Sequence, residues 1–351
     1  MANYLVTGGA GFIGSKLVED LLLRGDLVVV LDALTYSGRR ENLAESVDNP
    51  NLIFIEGSIS DPNIVSSLID AHRPQAIINV AAESHVDRSI DQPLDFIDTN
   101  VSGTINLLEA GLKYWRALDT FQQSSFRYLQ VSTDEVYGSI DSGAATENSP
   151  FRPNSPYSAS KAAADHLVRS YNQTYGFPTL TTHGSNTYGP RQFPEKLIPL
   201  MILRALSGQS LPVYGDGKQV REWIQVDDHV SGIIAVLERG EPSQSYNIGS
   251  GEELENIELV KSLCRTLNKH DSIAPGIEFS DKIEFVEDRP GHDRRYFMDC
   301  SKAKASLGWE CKKDLCGGLV GVIDWYIGNR GWWEPITSEH YDLTRLGGLK
   351  F

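Results

Sequence analysis

Tyr157 and Lys161 stand four residues apart as Y-x-x-x-K. On a helix that spacing puts both heads over one face. A free tyrosine has a pKa of about 10, and a neighbouring ammonium favours the phenolate. The pair is therefore a candidate base for an alcohol proton. Alone, the motif is common on helix surfaces. A second group, Ser132-Thr133-Asp134-Glu135-Val136-Tyr137-Gly138, follows the apolar run Tyr128–Val131. If that run is a strand, it delivers the group to the carboxyl end of a sheet, where doubly wound folds bind ligands. Two adjacent carboxylates there are either solvated loop charges or an acid and a base with separated pKa values.

A third group lies at the start of the chain. Gly8, Gly11 and Gly14 are spaced G-x-x-G-x-x-G, with Gly9 beside them. Such a turn needs a backbone without Cβ, so that a pyrophosphate can approach and the helix can pack on the strand. The helix N-terminus then offers N–H groups and a positive dipole end to the phosphates. Asp32, 18 residues beyond Gly14, has the spacing of an acid that binds the adenosine ribose hydroxyls. A carboxylate there repels a 2′-phosphate, which selects NAD over NADP; Arg39 and Arg40 nearby weigh the other way. A bound nicotinamide adds a second positive charge beside Tyr157.

These groups need a scaffold, and the chain alternates strand and helix as if to build one. Tyr4–Val6, Leu27–Leu31, Asn51–Ile55, Ala76–Ala82, Phe126–Ser132 and Thr179–His183 read as strands. Between them, Phe12–Leu22, Asn63–His72, Thr99–Ala117 and Pro156–Tyr175 carry helical periodicity. Pro156 near the start and Gly176 after the end punctuate the last helix. The expected fold is α/β: a doubly wound parallel sheet of Rossmann type with a smaller mixed α/β substrate-binding domain. Residues 1–184 should form the dinucleotide-binding domain, with a later return at about 223–248. Residues 185–351 should form mainly the substrate domain. Trp332-Trp333 and the tail to Phe351 show no periodicity.

The 351 residues are 40% hydrophobic and 23% charged, an ordinary globular composition. The net charge of −15 disfavours nucleic acid and anionic membranes, which select basic surfaces. Cys264, Cys300, Cys311 and Cys316 contain no C-x-x-C pair. They read as reduced thiols rather than a disulfide framework or a metal site. No apolar stretch approaches the roughly 18 residues of a membrane span, and the start lacks a basic leader. The expected location is the cytoplasm.

Taken together, the motifs resemble the extended short-chain dehydrogenase/reductase family, and within it the sugar-nucleotide 4,6-dehydratases. The resemblance runs through Thr7–Gly14, Ala81–Ser89, Ser132–Gly138, Tyr157–Ala162, Tyr188–Leu200, Val213–His229 and Asp288–Tyr296. It implies that Tyr157, assisted by Lys161 and Thr133, takes the C4 hydroxyl proton while C4 is oxidised by NAD. Glu135 then removes the C5 proton and Asp134 protonates the departing C6 hydroxyl. The implied substrate is dTDP-glucose or a similar sugar nucleotide, and the implied product its 4-keto-6-deoxy form. The resemblance places Phe12, Ile13, Leu34 and Thr35 on the cofactor, with Ser58, Ile59, Ala81, Ala82 and Thr99. It places Ser84, Thr133, Asn186, Lys196 and Leu197 on the substrate. Pro212, Tyr214, Arg221, Asn256, Arg289 and His292 join them there. Arg221 and Lys196 would meet the diphosphate. It also implies a homodimer paired through the two long helices, and no metal.

Three features depart from the family pattern. Ser58 replaces a usual Asp, Thr187 a usual Asn, and the segment between Gly138 and Pro156 is short. Other readings stay open on the residues alone. An epimerase or decarboxylase on this scaffold would not need Asp134 and Glu135. An NAD-sensing binding protein would need no acid and base at all. Uridine differs from thymidine by one methyl, worth about 1–3 kcal/mol of discrimination.

Asp32 gives a direct expectation about cofactor choice. NADP should bind much more weakly than NAD, and Asp32→Ala should narrow the gap, as read by fluorescence titration with each dinucleotide. Equal affinities in the unmodified protein would show that Arg39 or Arg40 dominates instead.

Overall fold

The computed structural model describes residues 2–344. In chain order the strands are β1 (Asn3–Thr7), β2 (Leu27–Asp32), β3 (Leu52–Glu56), β4 (Ala76–Asn79), β5 (Arg127–Thr133) and β6 (Thr179–Gly184). They continue as β7 (Asn186–Tyr188), β8 (Leu211–Tyr214), β9 (Val220–Gln225), β10 (Ser245–Ile248), β11 (Glu253–Glu255) and β12 (Ile283–Val286). Seven of them form one sheet in the order β10-β6-β5-β4-β1-β2-β3, and every pairing in it is parallel. This is the expected doubly wound sheet. The strand order reverses between β1 and β4, and such a switch point opens a crevice at the carboxyl ends.

The sheet is buried on both faces, which explains the uninterrupted apolar runs of its central strands. Val6, Val28, Val30, Ile78 and Leu129 face one cluster of buried side chains. Leu5, Val29, Leu31, Ile77 and Tyr128 face the other. The Val226–Arg239 helix packs on the first face, and Ala303, Leu307 and Trp309 join the same cluster. A separate apolar cluster forms a second lobe from Tyr188 to Val213, Ile257 to Phe279 and Leu319 to Leu343. Around it lie a three-stranded sheet, β11-β9-β7, and the pair β12-β8.

Trp332 and Trp333, unreadable in the sequence, dock on this lobe. Trp333 donates to the Tyr326 carbonyl at 2.7 Å and Trp332 to Asn42 Oδ1 at 2.8 Å. The tail beyond residue 344 lies outside the described residues.

One element that carries the site has the expected bounds, and three are shifted. The Pro156–Tyr175 helix has the expected bounds. Ser155 and Ser158 form a reciprocal capping box at its start, and Gly176, at φ 69°, closes its end. Strand β5 runs one residue further than expected, to Thr133. Strand β4 stops at Asn79, three residues before Ala82, because the chain there leaves the sheet to line the crevice. The helix expected over Thr99–Ala117 is α-helical only over Thr104–Arg116. A π-helical turn, Ile97–Gly103, precedes it. The wider turn lets the Asn100 side chain bond both the N–H (2.9 Å) and the carbonyl (3.0 Å) of Glu83, a use typical of π-turns near functional sites.

Candidate active site

A cavity of about 680 Å³ opens at the carboxyl ends of the sheet and runs into the second lobe. At one end lies the glycine turn. A Cβ on Gly14 would stand 2.0 Å from the Gly8 carbonyl oxygen, and one on Gly8 would stand 2.6 Å from the Ala81 backbone. Gly8 also has φ 69°, so both positions require glycine. No side chain caps the Phe12–Leu23 helix that follows, which leaves its N-terminus to a ligand. Asp32 is buried at the tip of β2. Its oxygens accept from the N–H groups of Ala10 and Leu34, each at 2.8 Å. Burial pushes its carboxyl up, and those two N–H groups hold the rise back. Arg39 pairs with Glu41, and Arg40 with Glu56, so both guanidiniums are engaged. The turn, the open helix end and the pinned acid fit an adenine dinucleotide.

Phe12, Ile13, Thr35, Ser58, Ile59, Ala81, Ala82 and Thr99 line this end of the cavity with Gly8, Gly11, Gly14 and Asp32. Leu34 does not. Its side chain packs on the sheet-side core, and it serves the site through the N–H that fixes Asp32.

The centre of the cavity is built by β5 and the Pro156–Tyr175 helix. Thr133, Asp134, Glu135 and Tyr157 all line it. Tyr157 packs edge-on against Phe96, with ring centroids 6.2 Å apart. Lys161 lies below the cavity wall, its ammonium donating to the Val131 carbonyl at 2.7 Å. Burial lowers the Lys161 pKa, and the charge of Asp165 opposes that fall. In the protein alone the Tyr157 phenol is pushed up, not down. Burial is the main cause, with Glu135 next, while a hydrogen bond from Thr133 lowers it. The Lys161 ammonium is turned to β5, and the expected lowering of the phenol counts the positive charge of a bound nicotinamide as well.

Below this layer lies a buried polar chain that the sequence does not signal. Ser132 donates to Asp165 Oδ2 at 2.6 Å. His183, the register partner of Ser132 on β6, brings Nε2 to 3.3 Å from the same oxygen. Asn247 uses its amide N–H groups on the carbonyls of Ala145 and Asp299, and its oxygen accepts from Tyr137 at 2.8 Å. With the Tyr137 proton so engaged, His183 Nδ1, 3.1 Å away, must be the donor to that hydroxyl.

The environments of the two carboxylates differ. Burial raises both. Asp134 also faces the negative charges of Glu135 and Glu222, only partly offset by Arg221, and goes well above the ordinary carboxylate range. Glu135 faces Arg289, Arg221 and Lys196, which hold its rise back. Asp134 is thus set to carry a proton and Glu135 to accept one.

The second lobe supplies those cations. Arg221, on β9, is held by the carbonyls of Val220 (2.8 Å) and Asp293 (2.9 Å) and lies 4.2 Å over the Tyr296 ring. Lys196 donates to the Ser84 carbonyl at 2.8 Å. Arg289 meets Asp87 at 3.2 Å, and Tyr214 donates to the other Asp87 oxygen at 3.1 Å. His292 pairs with Asp288 at 2.6 Å. Ser84, Asn186, Lys196, Leu197, Pro212 and Tyr214 line the cavity, as do Arg221, Asn256, Arg289 and His292. Asp87, Glu195 and Glu222 were not singled out from the sequence. Each is a carboxylate whose partner is remote in the chain, such as Arg88 for Glu195 at 2.9 Å. Among the described residues no cluster of His, Cys, Asp or Glu could hold a metal ion.

Known proteins resemble the chain over nearly its whole length. The chain matches the family model described as GDP-mannose 4,6 dehydratase over residues 5–319. It is 51% identical over 348 residues to the dTDP-glucose 4,6-dehydratase of Xanthomonas campestris pv. campestris (strain B100), covering 99% of each chain. It is 47% identical over 352 residues to the enzyme of that name from Neisseria meningitidis serogroup B, again covering 99% of each. Among solved structures it resembles DesIV, a dTDP-glucose 4,6-dehydratase from Streptomyces venezuelae with NAD and TYD bound. The TM-score is 0.87 at 45% identity, over 95% of this chain and 99% of that one.

The cations around Glu135 make a pH prediction. Glu135 accepts a proton only when ionised, so turnover is lost as pH falls through its pKa. Arg289→Met removes a cation and raises that pKa. The acid limb of the pH–rate profile should therefore move up by about one unit or more. A limb that stays in place would show that Arg289 does not control the base.

Proposed function

The chain belongs to the GDP-mannose 4,6-dehydratase family of extended short-chain dehydrogenases/reductases, and from that membership we propose that it converts dTDP-glucose to dTDP-4-keto-6-deoxyglucose and water. It is a hydro-lyase that uses NAD. The observation that carries this reading is that Asp134 and Glu135 line the same cavity as Tyr157, with more positive charge facing Glu135 than Asp134. Simple oxidation at C4 needs Tyr157 alone. Elimination across C5 and C6 needs an acid and a base as well.

NAD, when bound, supplies the acceptor and later donor of the hydride, and a positive charge beside Tyr157. Tyr157 takes the proton of the C4 hydroxyl, with the Thr133 hydroxyl bonded to its oxygen. The C4 ketone makes the C5 proton acidic, and Glu135 removes it. Asp134 gives its proton to the C6 oxygen, which is a poor leaving group as hydroxide and a good one as water. A proton returned to C5 completes the product. Arg221 and Lys196 carry the positive charge that suits a diphosphate, and Arg221 has the planar fork for bidentate contact.

Leu94, Ile97 and Ile105 are exposed along the segment that leads into and begins the Thr104–Arg116 helix. These apolar side chains support a homodimer paired through that helix and the Pro156–Tyr175 helix. The separate apolar cluster of the second lobe supports the division at about residue 184, with later segments returning to the sheet. The four free cysteines fit a reducing compartment, here the cytoplasm. No helix among the described residues is long and apolar enough to cross a membrane.

Two variants separate the halves of the chemistry. Tyr157→Phe should fail at C4 oxidation. Glu135→Gln should oxidise C4 and then stall at the 4-keto hexose, with the overall rate lower by about 10²–10⁴-fold. The measurement is a single turnover of dTDP-glucose with enzyme in excess, quenched with borohydride and followed by sugar analysis. A Glu135→Gln enzyme that binds substrate yet forms no 4-keto hexose would contradict this division of labour.

A further inference from the structure

The short Val86–Asp91 helix belongs to the sheet lobe, yet its first turn meets both halves of the cavity. Val86 packs with Phe96 and Tyr157 in one buried apolar cluster. The next residue, Asp87, is 4% exposed and bonds to the second lobe instead. Its Oδ1 accepts from Arg289 Nη1 at 3.2 Å, and its Oδ2 accepts from the Tyr214 hydroxyl at 3.1 Å. Arg88 follows, and its Nε donates to Glu195 Oε2 at 2.9 Å. Just before the helix, the Ser84 carbonyl accepts from Lys196 at 2.8 Å. The segment 84–88 is thus tied to Glu195, Lys196, Tyr214 and Arg289 of the second lobe.

Asp87 stands out among these ties because both of its partners line the cavity. They also come from one place. Tyr214 ends β8, and its register partner on the parallel strand β12 is Val286. Both strands therefore leave the pair at the same end, where Arg289 follows β12. The root of Arg289 is fixed there as well. Its N–H donates to Asp288 Oδ1 at 2.8 Å, an oxygen that also meets His292 Nδ1 at 2.6 Å. At the head, Nη1 is taken by Asp87, whereas the buried Nε has no hydrogen-bond partner among the described residues. A guanidinium is planar, so fixing its root and one nitrogen fixes the direction of every other N–H. The unpartnered Nε is then an aimed donor on a cavity wall.

We propose that Asp87 is a positioning residue that holds Arg289 and Tyr214 in register with Tyr157 across the cavity. It acts through those two side chains. One helical turn carries the register, because Val86 packs with Tyr157 and the adjacent Asp87 bonds the other wall. A substrate gripped by the second lobe is thereby presented to Tyr157 at a set depth. Such placement matters for rate more than for grip, since an error of about 1 Å at the reacting atoms costs roughly 10²-fold.

This register rests on the dehydratase reading, and the test separates the two. Asp87→Ala removes both acceptors, whereas Asp87→Asn keeps an acceptor for Arg289. With dTDP-glucose and holoenzyme, kcat per NAD-binding site should fall by about 10²-fold in Asp87→Ala. The fall in kcat should exceed the rise in KM, NAD affinity should stay unchanged, and Asp87→Asn should recover part of the loss. In an Arg289→Met/Tyr214→Phe background, Asp87→Ala should change kcat by no more than about twofold, because the groups it acts through are gone. Where Asp87→Ala does not fold, the same cycle with Asp87→Asn decides. A full loss repeated in that background, or an unchanged kcat in the single variant, would overturn the inference. If the unmodified enzyme does not convert dTDP-glucose, the reading beneath it fails instead.

Discussion

Two carboxylates adjacent in sequence, Asp134 and Glu135, meet one low-dielectric cavity at the tip of β5. Two like charges so placed oppose each other's ionisation. The fold resolves this with unequal surroundings. Glu222, buried on β9, sets a further negative charge against Asp134. Arg289, Arg221 and Lys196 set positive charge against Glu135. The sheet supplies the two acids, and the second lobe supplies every one of these modulating charges. The acid–base contrast therefore exists only where the two lobes meet.

That arrangement requires the tip of β5 to be held still. Two bonds from one helix do so. Lys161 grips the Val131 carbonyl, and Asp165, one turn later, grips the Ser132 hydroxyl. Consecutive residues of the strand are thus tied to residues four apart on the helix. His183 joins from the next strand at the same level, and Tyr137 and Asn247 extend the contact to β10. Replacing any member would leave a buried polar group unpaired, at a cost of about 1–3 kcal/mol. The same network that stabilises the sheet's upper edge thereby aims Thr133, Asp134 and Glu135 into the cavity.

What the sequence revealed follows from how local each signal is. The glycine turn, Asp32 and the Pro156–Tyr175 helix with Tyr157 and Lys161 depend on residues near one another in the chain. Their spacing alone carries the geometry. The pairings of Asp165 with Ser132, Arg289 with Asp87 and Arg88 with Glu195 join residues far apart, and no periodicity records them. The π-turn before Thr104 was also hidden, because the Asn100 side chain within it bonds groups remote in the chain, the Glu83 backbone and the Ser160 hydroxyl. The path of the Lys161 side chain was hidden for a related reason. Spacing puts Lys161 on the same face, but tertiary packing turns its ammonium toward β5. Trp332 and Trp333 lacked a pattern because their partners, Asn42 and Tyr326, are set by docking rather than by helical repeat.

The unequal surroundings should leave Asp134 protonated and Glu135 ionised in one cavity. Carbon-13 NMR of the resting enzyme, with carboxyl-labelled Asp and Glu assigned through Asp134→Asn and Glu135→Gln, reads both groups directly. Across neutral pH the expected chemical shifts are those of a carboxylic acid at Asp134 and of a carboxylate at Glu135. Two ionised groups, or the reverse assignment, would contradict it.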